Sequence, residues 1–258
     1  MKINLTLPGW IGLVLLLTIS CAANSQTTYT ILAEDAAGHW GQADGTGAGN
    51  DIVRAAYAAV GDNVVLKIVP YNRCKTYVMN GIALACFGMS WSDELKDKVI
   101  FPREPIYSNV ATIFIRKRDA QKYRKLTDVQ PKSKIGTVLG YEYPQAFTDL
   151  VRSDIFVTDD APSEVSSLKK LAAGRFDFVI ANVDDLKSAA YLLKQAEVED
   201  TVQIAFELER SKTFIGFSAA RRETAAALHA FDAGMAKIKH NGTLARIQML
   251  WNARRDAE

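Results

Sequence analysis

The sequence is poor in the residues that build metal centres and nucleophilic active sites. It has 3 cysteines and 3 histidines in 258 residues, and His39, His229 and His240 are dispersed along the chain. Their spacing fits neither a metal site nor a Ser-His-Asp arrangement. The glycine-rich run at residues 45–49 matches no nucleotide-binding glycine pattern and is typical of a flexible turn. The sequence therefore indicates no metal, no cofactor and no catalytic residue.

An excess of charge of either sign is also absent. Lysine and arginine number 31 against 29 aspartates and glutamates, which gives a formal net charge of +2. A nucleic-acid-binding protein would show a basic surplus, so no nucleic-acid partner is expected. With 48% hydrophobic residues, the chain has the composition of a globular protein and is long enough for one large domain or two ordinary ones.

The N-terminus has the features of an export signal. The apolar run at 11–19 is short for a membrane span, and small residues that suit cleavage follow it, after Ala23 or Ser25. We predict a signal peptide over 1–25 and a periplasmic location. Cys21 leaves open a second interpretation, in which the exported chain is a lipoprotein anchored there.

Export places the two remaining cysteines, Cys74 and Cys86, in an oxidising compartment. Cys74 lies near the start of a predicted helix, and Cys86 lies in a strand that returns past it. The helix advances by roughly 9 Å over six residues, and the strand returns by about 10 Å over three residues. We therefore predict a Cys74–Cys86 disulfide, with two buried free thiols as the alternative.

Helices and apolar strands alternate along most of the chain, which favours an α/β fold with parallel sheets. Two stretches share one arrangement of a helix, a glycine, a buried strand and a polar loop. Their predicted strands are 82–87 and 176–181, and their loops are 88–92 and 182–185. Ligands gather beyond the carboxyl ends of strands in open α/β sheets, so these loops indicate a binding site.

Two further local predictions concern other parts of the chain. Separate strands are predicted at 202–208 and 213–218, and Asn50-Asp51 is predicted to cap a helix at 52–60.

The order of these motifs resembles the amino-acid-binding type of periplasmic (extracellular) solute-binding proteins, family 3. The resemblance covers residues 28–252 and is carried by these segments: Gly49-Asn50-Asp51, Gly88-Met89-Ser90, Pro105-Ile106-Tyr107 and the tail N-G-T-L-x-x-I-x-x-x-W. It implies a type II periplasmic-binding-protein-like fold with two α/β lobes joined by a two-strand hinge. The first lobe would comprise 26–111 and 215–258, the second 112–214, and a small ligand would lie between them.

Two departures from the family pattern concern the ligand. The arginine that holds an amino acid's carboxylate falls at Leu95, and the acid that receives the ammonium falls at Asn182. The resemblance therefore does not extend to an ordinary α-amino acid, and we expect a solute with an amine or an aromatic part.

The candidate ligand-binding residues combine aromatic faces, hydroxyls and charges near the predicted cleft. Glu142 would receive an amine or else lie at the surface, and Arg73 would replace the missing arginine or else face solvent. Ser90 would bind the ligand or cap a helix, and Trp91 would stack on the ligand or pack in the core. The full set is Glu34, Trp40, Tyr71, Arg73, Ser90, Trp91, Tyr141, Glu142, Tyr143 and Asn182.

The resemblance implies a monomeric exported binding protein that delivers a small polar solute to an ABC transporter permease in the inner membrane. Two alternatives stay open. One is an exported enzyme of the same architecture, such as a cyclohexadienyl dehydratase, with Glu142 or Glu34 as its acid. The other is a ligand-sensing partner of a membrane receptor.

Overall fold

A computed structural model describes residues 26–35 and 38–257. The predicted signal peptide and Cys21 lie outside this range. The described strands are β1 (Thr28–Glu34), β2 (Asn63–Val69), β3 (Ala85–Ser90), β4 (Val99–Ile100), β5 (Tyr107–Arg116), β6 (Ser133–Val138), β7 (Phe156–Ala161), β8 (Phe178–Val183) and β9 (Val202–Ser218). The described helices are α1 (Ala48–Ala59), α2 (Tyr71–Met79), α3 (Gln145–Arg152), α4 (Glu164–Ala172), α5 (Ala189–Ala196), α6 (Thr224–His240) and α7 (Thr243–Ala257).

The strands form one mixed sheet in the order β2-β1-β3-β9-β5-β8-β6-β7, with β4 beside β9. β1 pairs in parallel with β2 and β3, and β6 pairs in parallel with β7 and β8. Between these two parallel sets, β5 and β9 run antiparallel to each other and to their neighbours. The prediction of parallel sheets is therefore right within each set and wrong for the strands that cross between them.

Each parallel set has its own apolar core, so the molecule has two α/β lobes. In the first lobe, α1, α2, α6 and α7 pack with β1 and β3 around clusters that include Ile52, Phe87 and Phe231. In the second lobe, β6, β8 and helices α3, α4 and α5 enclose clusters that include Phe178 and Leu168. β5 and β9 connect the two lobes, as the predicted fold requires.

Several local predictions differ from the structure. β3 does not end before Gly88 but continues to Ser90 through a bulge between Phe87 and Met89. Gly88 has a φ of 104°, a conformation that glycine adopts without strain, and the bulge turns Ser90 toward the cleft. β9 is one strand and not two, because its whole length pairs with β5 and then with β3.

Two helix predictions also need correction. α1 begins at Ala48 after Gly47, so Asn50 lies inside the helix and does not cap it. Its side-chain amide instead donates to the carbonyls of Gly45 and Thr46 and holds the preceding turn. α5 was not predicted, although Ser188 caps it by accepting a hydrogen bond from the Tyr191 backbone N–H.

The predicted disulfide is present. Cys74 on α2 and Cys86 on β3 are both fully buried, and their Cα atoms are 5.6 Å apart. The bond therefore links a helix and a strand that both reach the cleft.

We expect the double variant Cys74→Ser/Cys86→Ser to lose roughly 2–4 kcal/mol of unfolding free energy, because the unfolded chain is no longer cross-linked. Denaturant unfolding with and without dithiothreitol measures this. Reductant should lower the stability of the wild type to that of the variant and leave the variant unchanged. An equal response of both proteins to reductant would contradict the bond.

Candidate functional site

A small polar cavity lies between the two lobes. Its volume of about 20 Å³ is close to the room that one water molecule requires. Both lobes and both crossing strands contribute to its wall. Six of the ten predicted site residues line it: Glu34, Tyr71, Ser90, Tyr141, Glu142 and Asn182.

Two tyrosine–glutamate pairs cross the cleft in opposite directions. Tyr71 of the first lobe donates its hydroxyl to Glu142 Oε2 of the second lobe at 2.5 Å. Tyr141 of the second lobe donates its hydroxyl to Glu34 Oε1 of the first lobe. The two rings meet edge to face, with centroids 5.1 Å apart. The side chains of these two pairs therefore bridge the lobes on either side of the small cavity.

The Glu142 carboxylate is held by three groups of the first lobe. Oε2 accepts from the Ser90 backbone N–H at 3.0 Å and from Tyr71, and Oε1 lies 3.1 Å from Lys75 Nζ. We call these three donors, Tyr71 Oη, Lys75 Nζ and Ser90 N, the carboxylate site. Burial raises the pKa of Glu142, while the Lys75 charge and the hydrogen bonds from Tyr71 and Ser90 oppose that rise.

The Lys75 ammonium is surrounded by three oxygen atoms. Besides Glu142, its ammonium contacts Glu94 Oε2 at 2.7 Å and the Gly140 carbonyl at 3.0 Å. Burial lowers its pKa, but the two carboxylates outweigh that effect and the net pKa is raised. Lys75 therefore stays charged, and its charge is already balanced by two carboxylates.

Glu34 is bound less completely. It is buried and accepts the Tyr141 hydroxyl, but it forms no ion pair within the described part of the chain. Burial raises its pKa to about 7, although the Tyr141 hydrogen bond and the charge of Lys187 both lower it. Glu34 is thus the acid of the cavity whose charge is least compensated.

A buried ion pair forms the opposite wall. Lys187 Nζ lies 2.7 Å from Glu164 Oε2, and Glu164 Oε1 accepts from the Asn182 backbone N–H at 2.7 Å. Burial lowers the pKa of Lys187, but the charges of Glu164, Asp184 and Glu34 raise it overall. The side-chain amide of Asn182 is left to face the cavity.

The segment before α5 ties the second lobe to the first. Trp40 Nε1 donates to Asp184 Oδ1 at 2.8 Å, and the Trp40 ring stacks on Tyr107 with centroids 4.0 Å apart. His39 Nδ1 lies 2.8 Å from the Leu186 carbonyl, and Leu186 packs in the first-lobe core. Trp40 therefore supports the cavity wall from behind Tyr107 and does not line the cavity itself.

A larger groove of about 1090 Å³ lies on the outer side of the cavity. Ser90, Tyr141 and Glu142 line both spaces and separate them. Trp91 stands at the groove with 61% of its surface exposed, so it does not pack in the core. Tyr143 lines the groove as well, and its hydroxyl accepts from the Val138 backbone N–H.

Arg73, like Trp40, is a predicted site residue that lines neither space. The face of α2 that turns inward carries Tyr71, Cys74, Lys75 and Val78, and Arg73 is exposed on the opposite face. It lines neither the cavity nor the groove. The cation of α2 that reaches the cavity wall is Lys75, and it pairs with the protein's own Glu142.

Sequence reasoning did not select Lys75, Tyr107 or Lys187. The helical spacing of four residues between Tyr71 and Lys75 puts both on one face, and this signal was available. Lys187 gives no such signal, because its position depends on a segment that packs against the first lobe.

Within the described residues no cluster of three metal-binding side chains occurs, and none of the described helices is long and apolar enough to cross a membrane.

Comparison with known proteins agrees with this geometry. Residues 39–254 match the bacterial extracellular solute-binding proteins, family 3, which confirms the resemblance drawn from the motifs. No curated protein matches the sequence.

Three solved structures have a similar fold. An ancestral arginine-binding protein bound to arginine is 20% identical and has a TM-score of 0.71, with 88% of this chain and 98% of that chain covered. A histidine kinase sensor domain with similarity to periplasmic binding proteins is 17% identical, with a TM-score of 0.72 and coverage of 88% and 96%. An ancestral amino-acid-binding protein, a precursor of cyclohexadienyl dehydratase, is 18% identical, with a TM-score of 0.68 and coverage of 87% and 94%. These structures confirm the type II binding-protein fold.

The raised pKa of Glu34 predicts a pH dependence of stability. Its pKa is about 7 in the folded protein and 4.5 in an exposed glutamate, so the folded state retains a proton that the unfolded chain releases between these values. The stability that Glu34 contributes should therefore fall as the pH rises through this window, by at most roughly 1.4 kcal/mol per pH unit.

Denaturant unfolding of wild type and Glu34→Gln at pH 5, 6 and 7 measures this effect. The variant should gain stability relative to the wild type as the pH rises. Glu199→Gln, at an exposed turn between α5 and β9, is the matched control and should follow the wild type. Parallel curves for the wild type and Glu34→Gln would show that Glu34 titrates normally.

Proposed function

The chain belongs to the bacterial extracellular solute-binding proteins, family 3, and on that premise we propose that it captures a small solute bearing an amine but no carboxylate. The solute binds between the lobes and is delivered to an ABC transporter. A binding role follows from the family, whereas the class of solute and its destination are our inference.

The charge balance of the cavity carries this proposal. Lys75 is engaged by Glu94 and Glu142, and Lys187 is engaged by Glu164. Among the described residues that line the cavity, no cation without a carboxylate partner remains to bind a solute carboxylate. Glu34, in contrast, receives only a hydroxyl from the part of the chain that the structure describes, and an ammonium group would compensate its charge.

Aromatic rings support the same class of ligand. Tyr71, Tyr107 and Tyr141 surround the cavity next to Glu34. A cation next to such rings is attracted to their faces, and more strongly when it is removed from water. Ser90 and Asn182 add polar groups that would orient the solute.

Binding requires the cavity to expand, because its present volume matches a single water molecule. We propose that the lobes, with boundaries near 26–111 plus 215–258 and 112–214, separate by bending of β5 and β9. Tyr141 would then leave Glu34, and the solute ammonium would take its place. The outer groove with Trp91 and Tyr143 provides the entrance.

The cellular setting completes the proposal. The N-terminal signal features support export to the periplasm, and family membership supports a permease of the inner membrane as the partner of a monomeric protein. The sensor domain among the similar structures leaves a receptor partner as the alternative.

A second candidate function is enzymatic. A buried carboxyl with a pKa of about 7 suits a general acid at neutral pH, and one similar structure is a precursor of a dehydratase. Turnover of prephenate or arogenate by the purified protein would favour this function, and its absence would favour binding.

A thermal-shift screen with matched pairs of ligands tests the binding proposal. The pairs agmatine and L-arginine, cadaverine and L-lysine, and tyramine and L-tyrosine each differ only in a carboxylate. We expect at least one amine to stabilise the ligand-stripped protein, by roughly 2.7 kcal/mol at about 100 times its dissociation constant. The corresponding amino acid should have a much smaller effect.

The shift should disappear in Glu34→Gln, which cannot carry the charge, and persist in Glu199→Gln. Equal or greater stabilisation by the amino acids would contradict the proposed class of solute.

A further inference from the structure

The carboxylate site is complete within the first lobe. Tyr71 and Lys75 lie one turn apart on α2, and Ser90 ends β3, which the disulfide joins to α2. A hydroxyl, an ammonium and a backbone N–H thus converge on one carboxylate, at 2.5, 3.1 and 3.0 Å. The hydroxyl and the backbone N–H donate hydrogen bonds to the carboxylate, a charge-assisted type that is among the strongest in proteins, and the ammonium adds an ion pair.

The carboxylate in this site comes from the protein itself. Only 3% of the Glu142 side chain is exposed, and Glu142 enters from the second lobe on the turn after β6. Gly140 in that turn has a φ of 87°, and a Cβ there would lie 2.9 Å from Asn72 Oδ1 and 3.0 Å from Asn72 Cα. Glycine therefore lets the turn approach α2 closely enough for Glu142 to reach its partners.

We infer that Glu142 acts as an internal carboxylate ligand and determines the specificity of the cleft. It fills the site that a solute carboxylate would otherwise occupy, and its own charge repels a second carboxylate nearby. Solutes that lack a carboxylate are the ones that remain acceptable. The occupied site can be tested without any solute, whereas the effect on specificity rests on the proposed function.

Acetate tests the site directly, because it contains the same atoms that Glu142→Ala removes. We expect Glu142→Ala to have a lower Tm than the wild type and acetate to raise that Tm saturably, relative to chloride at equal ionic strength. Acetate should leave the wild type and Glu199→Ala unchanged. Glu142→Gln keeps the site filled, so acetate should not stabilise it either.

Equal effects of acetate and chloride on Glu142→Ala would overturn the inference. Should this variant not fold in chloride, refolding in acetate gives the same comparison. Recovery only in acetate would support the carboxylate site, and failure in both salts would count against it.

Calorimetry with agmatine and L-arginine tests specificity. The wild type should prefer agmatine, and Glu142→Ala should lose at least roughly tenfold of that preference, because the emptied site can accept the arginine carboxylate. Agmatine binding by the wild type with an unchanged preference in Glu142→Ala would overturn the specificity role and leave the proposed function intact. If neither protein binds either compound, that result would count against the proposed function. The acetate experiment would then be the remaining test of Glu142 as an internal carboxylate ligand.

Discussion

The contact between Glu142 and the first lobe is the constraint on which the closed cleft depends. A buried carboxylate is costly unless charged or polar partners compensate it. All three partners of Glu142 lie on α2 and β3, while Glu142 itself follows β6 in the other lobe. Any rotation of the lobes that separates these groups leaves Glu142 and Lys75 less well paired. This interaction therefore favours the closed arrangement of the lobes.

The second tyrosine–glutamate pair has fewer partners than the first. Glu34 has the hydroxyl of Tyr141 but no ammonium partner within hydrogen-bonding reach among the described residues, and burial raises its pKa to about 7. Replacing Tyr141 by a cation would improve the environment of Glu34. A cation in place of Tyr71 would improve the environment of Glu142 little, because the Lys75 ammonium already lies beside that carboxylate. Both acids thus bridge the lobes, and in the proposed function it is Glu34 that exchanges its partner for the solute.

The sequence predicted the fold well because its signals are local. The alternation of helices and apolar strands and the order of the family motifs predicted the two-lobed α/β architecture. The errors concern long-range pairing: β9 is continuous because β5 and β3 pair along its whole length, and Gly88 forms a bulge within β3 and not a loop. The local amino-acid composition reveals neither the continuous strand pairing nor the bulge.

The candidate site was predicted less completely for the same physical reason. Six predicted residues meet at the cavity because the ends of strands and the turns after them bring them there. Arg73 was selected by analogy with a missing arginine, and Lys75 was not considered, although it lies on the buried face of α2. Lys187 could not be found, because the segment before α5 is positioned by Trp40 and His39 of the other lobe.

The disulfide connects these observations. Cys74 directly precedes Lys75 and lies three residues after Tyr71, and Cys86 lies four residues before Ser90. The bond therefore fixes α2 against β3 close to the three donors that hold Glu142. Convergence of donors from a helix and a strand requires that these elements do not shift, since a displacement of about 1 Å would take a hydrogen bond out of range. The covalent link thus preorganises the carboxylate site, and through it the closure of the cleft.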